Sequence, residues 1–305
     1  MKKLLLLLPL LLLSSCSSTL TGFNKDTTIN NTSNHTKPYG YTTSTEIVRK
    51  GKESQRFEIR HGDCGSSESF NDCEKDRRRY ERRVERTPIE NYDSVTWYAW
   101  SVYLPEDFAN LGRTSTTLGQ LKLGGYMQPV WVIVGDRKGL RLKLIATGYR
   151  KCNILKYEDL RGKWTDIMIK SDLSTKKKPG KQYTELFING ERYDCNIDSP
   201  ILTKKILNIV DSRKNKKTKS RVNFQYGIYN SFVSRWLNAN KTKDVKVEGF
   251  TDYQENSNTL VQSITGSPWD IDWGVKLPTQ IVYYDEVRIG PTRESVDINM
   301  NDSVD

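Results

Sequence analysis

The sequence predicts an all-β protein, two stacked antiparallel sheets forming a sandwich or jelly roll with a few short helices, on three observations. Segment after segment between Phe57 and Ile289 alternates apolar and polar residues with period two, the signature of half-buried strands. Gly, Pro, Asn and Asp bound these segments, as in Phe187-Ile188-Asn189-Gly190, where a strand runs into an Asn-Gly turn. Helical periodicity is confined to short stretches such as Pro200 to Val210. With 305 residues, the chain is long enough for one large β domain or two small ones.

Composition narrows the class of protein. Hydrophobic residues make up 36% of the chain, too few for a protein that crosses a membrane many times. Aromatic residues reach 10%, sixteen of them tyrosines, and disordered chains lack such a content. Lys and Arg number 48 against 37 Asp and Glu, so the net charge of +11 favours an anionic partner: nucleic acid, anionic lipid or acidic polysaccharide.

The N-terminus decides among these. Met1-Lys2-Lys3 is basic, Leu4 to Leu13 is apolar but too short to span a bilayer, and Ser14-Ser15-Cys16 follows. This resembles the bacterial lipoprotein signal, which implies cleavage before Cys16 and acylation, for example by palmitate, at that cysteine. Ser17 rather than Asp after the cysteine implies the outer membrane of a two-membrane cell envelope. Export argues against nucleic acid and leaves an acidic polysaccharide as the expected partner of a monomer held to the membrane only through its lipid.

Residues 16–44, rich in Thr, Asn and Ser, read as a solvated tether, followed by a domain over 45–295 and a tail over 296–305. The domain keeps Cys64, Cys73, Cys152 and Cys195, an even count in an oxidising compartment. Of the three possible connectivities, Cys64–Cys73 with Cys152–Cys195 is favoured. No Cys-x-x-Cys pair exists, and His35 and His61 fall outside any ligand spacing, which disfavours zinc. No cofactor is expected, although a structural calcium ion is compatible with the sequence.

Expected strands are Phe57 to Arg60, Arg78 to Val84, Val95 to Leu104, Thr116 to Leu123, Val130 to Val134, Leu140 to Ala146, Trp164 to Ser171, Tyr183 to Ile188, Val222 to Tyr229 and Gln280 to Ile289. Two stretches interrupt the rhythm. Arg213 to Arg221 is a basic loop, and Arg235 to Leu277 is a long polar insertion, read as a flap over a cleft.

Three strands carry polar sets that a plain sandwich does not need. Period two puts Arg79, Glu81 and Arg83 on one face, Gln120 and Lys122 on another, and Gln225 with Tyr229 on a third, while Phe224, Tyr226 and Ile228 turn inward. In this order, Arg79-x-Glu81-x-Arg83, Gln120-x-Lys122 and Phe224-Gln225-Tyr226-Gly227-Ile228-Tyr229-Asn230 resemble the signature strands of alginate lyases of the β-jelly-roll type. The overall layout, with Trp97 to Pro105 and Tyr283 to Gly290, is closer still to the heparin lyase I and glucuronan lyase group of polysaccharide lyases. The resemblance covers roughly residues 46 to 291. It implies a concanavalin-like jelly roll that cleaves uronate-containing polysaccharides by β-elimination.

Elimination needs the charge developing on the uronate carboxylate to be quieted, a base for the C5 proton and an acid for the leaving oxygen. Arg79, Gln120 and Lys122 suit the first task. Tyr229 is assigned both proton transfers, with Lys122 and Arg79 expected to lower its pKa. Arg83, Glu81, Gln225, Tyr283 and Trp269 are candidate substrate-binding residues. The family commonly carries His where Lys122 stands, so a noncatalytic carbohydrate-binding lipoprotein on the same fold is the alternative. A retaining glycosidase needs paired carboxylates, and Glu-x-Asp-x-x-Glu does not occur.

Overall fold

Every segment with period-two alternation forms a strand. The computed structural model describes residues 21–22, 30–31, 37–67, 70–84, 87–88, 95–123, 129–144, 150–172, 183–195, 221–246, 264 and 267–305. The leader with Cys16, most of the tether, Lys176 to Lys178, the expected helix Pro200 to Val210 and most of the basic loop lie outside the described residues.

The strands are β1 (Tyr41–Ser44), β2 (Ser54–Ile59), β3 (Arg77–Arg83), β4 (Val95–Tyr103), β5 (Ser115–Leu123), β6 (Pro129–Asp136) and β7 (Gly139–Leu144). They continue with β8 (Arg150–Leu155), β9 (Trp164–Asp172), β10 (Tyr183–Ile188), β11 (Glu191–Tyr193), β12 (Arg221–Ser231) and β13 (Gln280–Gly290). One antiparallel sheet runs β8-β7-β6-β5-β12-β3 and the other β11-β10-β9-β4-β13-β2-β1, with two-residue strands added at Thr21–Gly22, Asn30–Asn31 and Thr87–Pro88. The fold is therefore the expected all-β jelly roll. Among the described residues the α-helices are α1 (Tyr157–Leu160) and α2 (Val233–Asn240).

The inward faces of the two sheets close over a core rich in aromatic rings. Trp100 stacks on Trp131 at 6.1 Å, and Phe57 meets Tyr226 at 5.9 Å and Tyr284 at 5.2 Å. Buried tyrosines need partners for their hydroxyls, and they find them across the sandwich. Tyr226 donates to Gln55 Oε1 at 2.9 Å, and Tyr284 Oη sits 2.9 Å from the Leu118 carbonyl and 2.7 Å from that of Gly227. Gly227 has φ +133°, and a Cβ there would meet the Tyr80 carbonyl oxygen at 2.3 Å, so a side chain would push β3 away from β12.

Two boundaries move. Tyr41–Ser44, assigned by composition to the tether, pairs with β2, because Tyr41 stacks on Tyr80 at 6.5 Å and accepts a hydrogen bond from Arg82. The tail also packs down: Val296 is fully buried against Trp97, Met168 and Phe187, and the Asp305 carboxylate accepts from the Lys52 and Glu53 amides at 2.7 and 2.8 Å. The insertion read as a flap is partly helical. α2 and the segment around Trp273 join Leu111 and Leu277 in a third apolar cluster.

Both expected disulfides form, with sequence separations of 9 and 43 residues. Cys152–Cys195 ties β8 of one sheet to the chain leaving β11 of the other. Closing a loop of that length removes unfolded-state entropy worth about 4 kcal/mol. The double substitution Cys152→Ala/Cys195→Ala should lower unfolding stability by about that amount in urea titration; a loss under about 1 kcal/mol would show that the two sheets are already fixed without the bridge.

Candidate active site

The outer face of the β3–β12–β5 sheet collects the polar side chains that alternation predicts. Antiparallel register sets Arg79 opposite Tyr229, Glu81 opposite Gly227 and Arg83 opposite Gln225. On the other side of β12, Gln225 faces Gln120 and Asn223 faces Lys122. Directly opposed residues share a face. Arg79, Glu81, Arg83, Gln120, Lys122, Gln225 and Tyr229 are thus brought together from strands far apart in sequence.

At the centre lies a buried acid–base network. Arg79 donates to both carboxylate oxygens of Asp72, with the Nη2 contact at 2.6 Å, and its Nη1 stands 3.6 Å from Glu81 Oε2. Its guanidinium also covers the Tyr229 ring at 4.5 Å, and Arg77 approaches the same ring at 6.0 Å. Glu81 has no exposed surface and accepts from Gln120 Nε2 at 2.7 Å. Burial pushes its carboxyl pKa up, against the pull of Arg79 and the Gln120 hydrogen bond.

Two expected roles change with this geometry. Gln120 spends its amide group inward, donating to Glu81 and, at 3.2 Å, to Gln225 Oε1. It does not present its donors to a sugar carboxylate. Because Gln225 is acceptor in that contact, its own amide nitrogen becomes the donor, and among the described residues it gives no hydrogen bond. The expected depression of the Tyr229 pKa is also overturned. Burial raises it, and that outweighs the lowering by Arg77 and Arg79, whose effect Asp72 and Glu81 partly cancel. Tyr229 is a neutral phenol at rest.

Lys122 moves the other way. Half-buried, its ammonium pKa is lowered by burial and by Arg79 and Arg77, with Glu81 and Asp72 opposing. Tyr229 and Lys122 therefore flank one Arg79–Asp72–Glu81 cluster, the first held as a protonated acid and the second drawn toward the free amine.

Two proposed binding residues lie elsewhere. Tyr283 pairs with Tyr103 and Arg56 on the outer face of the opposite sheet, its ring edge-on to Tyr103 at 5.9 Å, because β13 turns Tyr284 and not Tyr283 toward the core. Trp269 packs into the cluster beside α2 and meets His61 at 5.5 Å, an anchor for the insertion. Sequence reasoning missed Asp72. Its signal was its place next to Cys73, whose bridge to Cys64 holds the loop beneath Arg79. Among the described residues, no group of three His, Cys, Asp or Glu side chains could hold a metal ion.

A jelly roll with basic, amide and phenolic side chains gathered on one sheet defines the class of protein. The sequence profile of the polysaccharide lyases matches residues 21–288, and the chain belongs to that family. Among solved structures, an endo-β-1,4-glucuronan lyase from the fungus Trichoderma reesei is similar at 12% identity, covering 88% of this chain and 97% of its own, with a TM-score of 0.49. An alginate lyase of polysaccharide lyase family 7 is similar at 11% identity, covering 84% of each chain, TM-score 0.43. One from Pseudomonas aeruginosa is similar at 12%, covering 82% of this chain and 87% of its own, TM-score 0.42. No curated protein sequence matches the chain.

The Asp72–Arg79 pair has an energetic consequence. Asp72→Ala removes the two-oxygen partner of a guanidinium that is 11% exposed, and breaking a buried ion pair costs about 3 kcal/mol. Urea unfolding of the variant should show a loss of that order; a change below about 1 kcal/mol would mean that Glu81 alone suffices to hold Arg79.

Proposed function

We propose that this protein cleaves a uronate-containing polysaccharide by β-elimination on the outer face of β3, β12 and β5, with Lys122 as base and Tyr229 as acid. The observation that carries the reading is geometric: strand register sets Lys122 and Tyr229 on one outer face around the Arg79–Asp72–Glu81 cluster, and burial there shifts the amine down and the phenol up, which suits a base and an acid.

The uronate carboxylate takes up charge as the C5 proton leaves. Gln225 offers it a neutral donor, and Arg83, directly opposite on β3, supplies positive charge. Lys122, two residues beyond Gln120 on the same face, accepts the C5 proton as the free amine. Tyr229, as the neutral phenol, gives its proton to the leaving glycosidic oxygen. A C4=C5 double bond forms in the sugar and the glycosidic bond breaks, with no water consumed. Arg79 orients the phenol from above its ring and answers the phenolate that forms. The leader and Cys16 support a lipid-anchored enzyme of the cell envelope.

The test is ultraviolet absorbance of the new double bond during incubation with polyglucuronate, alginate and heparin. At least one should yield it, and silence across all three from a folded protein would contradict the proposal. Tyr229→Phe should reduce the rate by about 10²–10⁴-fold while binding persists. The sign of the pH dependence follows from the shifts. Rate rises as pH climbs through the lowered Lys122 value and falls once Tyr229 ionises above its ordinary 10.0. Lys122→His should move the rising limb toward about 6.5 and leave the falling limb in place; an unmoved rising limb would exclude Lys122 as base.

A further inference from the structure

The face that carries Gln225 and Gln120 does not end there. Register continues one cross-strand row from Arg83 through Gln225, Gln120 and Val132 to Lys143 and Lys151, across six strands from β3 to β8. At the far end of this row lies an open cleft of about 380 Å³. Of its ten lining residues, seven are Lys or Arg and only Asp136 is acidic. Asp136 is already engaged, by Arg141 and, at 3.5 Å, by Lys143.

Such a surplus of positive charge inside a cleft has an energetic meaning. Like charges held together raise one another's free energy, and an anion that enters relieves all of them. Lys143 registers the crowding. Burial and the charges of Arg141 on its own strand, Lys151 on β8 and Arg235 on α2 push its ammonium pKa down to about 7, although Asp136 faces it and Ser115 Oγ lies 3.5 Å away. Three strand spacings, roughly 14 Å, separate Lys143 from Gln225, within the reach of a short oligosaccharide.

We propose that this cleft is a second oxyanion subsite, which grips an acidic group of the same polysaccharide away from the cleavage centre, so that the preferred substrate carries anionic groups on several sugars in succession. A chain lying along the row presents one uronate to Gln225 and Arg83 and a further carboxylate or sulfate ester to Lys143, Lys151 and Arg141. The inference rests on the lyase reading for the polymer's identity, but its test does not depend on turnover.

Binding is measured by calorimetry in the uncleaving Tyr229→Phe background, with polyglucuronate hexamers, sulfated heparin hexamers and sodium sulfate as probes. Lys143→Gln/Lys151→Glu should weaken binding of at least one hexamer by roughly tenfold or more, since each lost contact is a hydrogen bond to a charged group. Equal weakening of both hexamers assigns the subsite to a carboxylate; greater weakening of the sulfated one, together with sulfate binding, assigns it to a sulfate ester. Binding should also take up protons near pH 7, read from the dependence of the heat on the buffer, because the anion restores the Lys143 charge, and the double variant should lose this uptake. Lys151 is exposed, so Lys151→Glu alone is a variant whose fold is secure, and it should weaken binding in the same sense. Affinities unchanged within twofold in both variants, or no binding of any probe by the parent protein, would overturn the subsite. If the parent binds hexamers through this cleft but the native Tyr229 enzyme releases no unsaturated product, the lyase mechanism fails and the subsite stands.

Discussion

The ion pair between Arg79 and Asp72 is the constraint on which the site depends. It fixes a guanidinium over the Tyr229 ring and beside Glu81, at a position on the outer face of a sheet where an arginine would ordinarily extend into water. Holding it there costs side-chain entropy and desolvation, which Asp72 and Glu81 together offset. The return is electrostatic. A fixed cation over a half-buried phenol would stabilise the phenolate of the proposed proton transfer, while partial burial of the ring keeps the phenol protonated beforehand.

The scaffold makes this arrangement cheap to maintain. Gly227 lets β3 and β12 approach, which sets Glu81 and Arg79 against β12, and Tyr284 reaches through the core to the carbonyls of Gly227 and Leu118, on the two strands that flank the site. The Cys64–Cys73 bridge closes the loop that carries Asp72. Core packing, a disulfide and a glycine thus converge on one carboxylate and one phenol.

Much of the fold was legible because period-two alternation speaks directly of which side a residue faces. Phe224, Tyr226 and Ile228 turn into the core and Gln225 and Tyr229 turn out, as alternation requires. Both disulfides also followed from the even cysteine count and the spacing of Cys64, Cys73, Cys152 and Cys195. Alternation says nothing of which sheet a strand joins, and so Tyr283, outward-facing on β13, was placed with the wrong sheet. Trp269 was misread for a related reason: its partners, Leu111 and α2, are distant in sequence and show no periodicity with it. The direction of the Tyr229 shift depends on how deeply the ring is covered set against four nearby charges, a balance of opposed quantities that residue types alone do not weigh. The inward turn of the Gln120 amide depends on a single buried acceptor, Glu81, and on register to the residue.

The proposed function joins the chain's family membership to its charge pattern: a polyanion would lie across the strands of one sheet, its reacting sugar beside the half-buried amine of Lys122 and the protonated phenol of Tyr229. A crystal structure of the Tyr229→Phe variant with a bound uronate oligosaccharide tests this most directly. The account predicts a uronate carboxylate within hydrogen-bond distance of Gln225 Nε2, with its C5 hydrogen facing Lys122 Nζ and its glycosidic oxygen above position 229. A sugar bound against the opposite sheet, or one whose C5 faces away from Lys122, would contradict it.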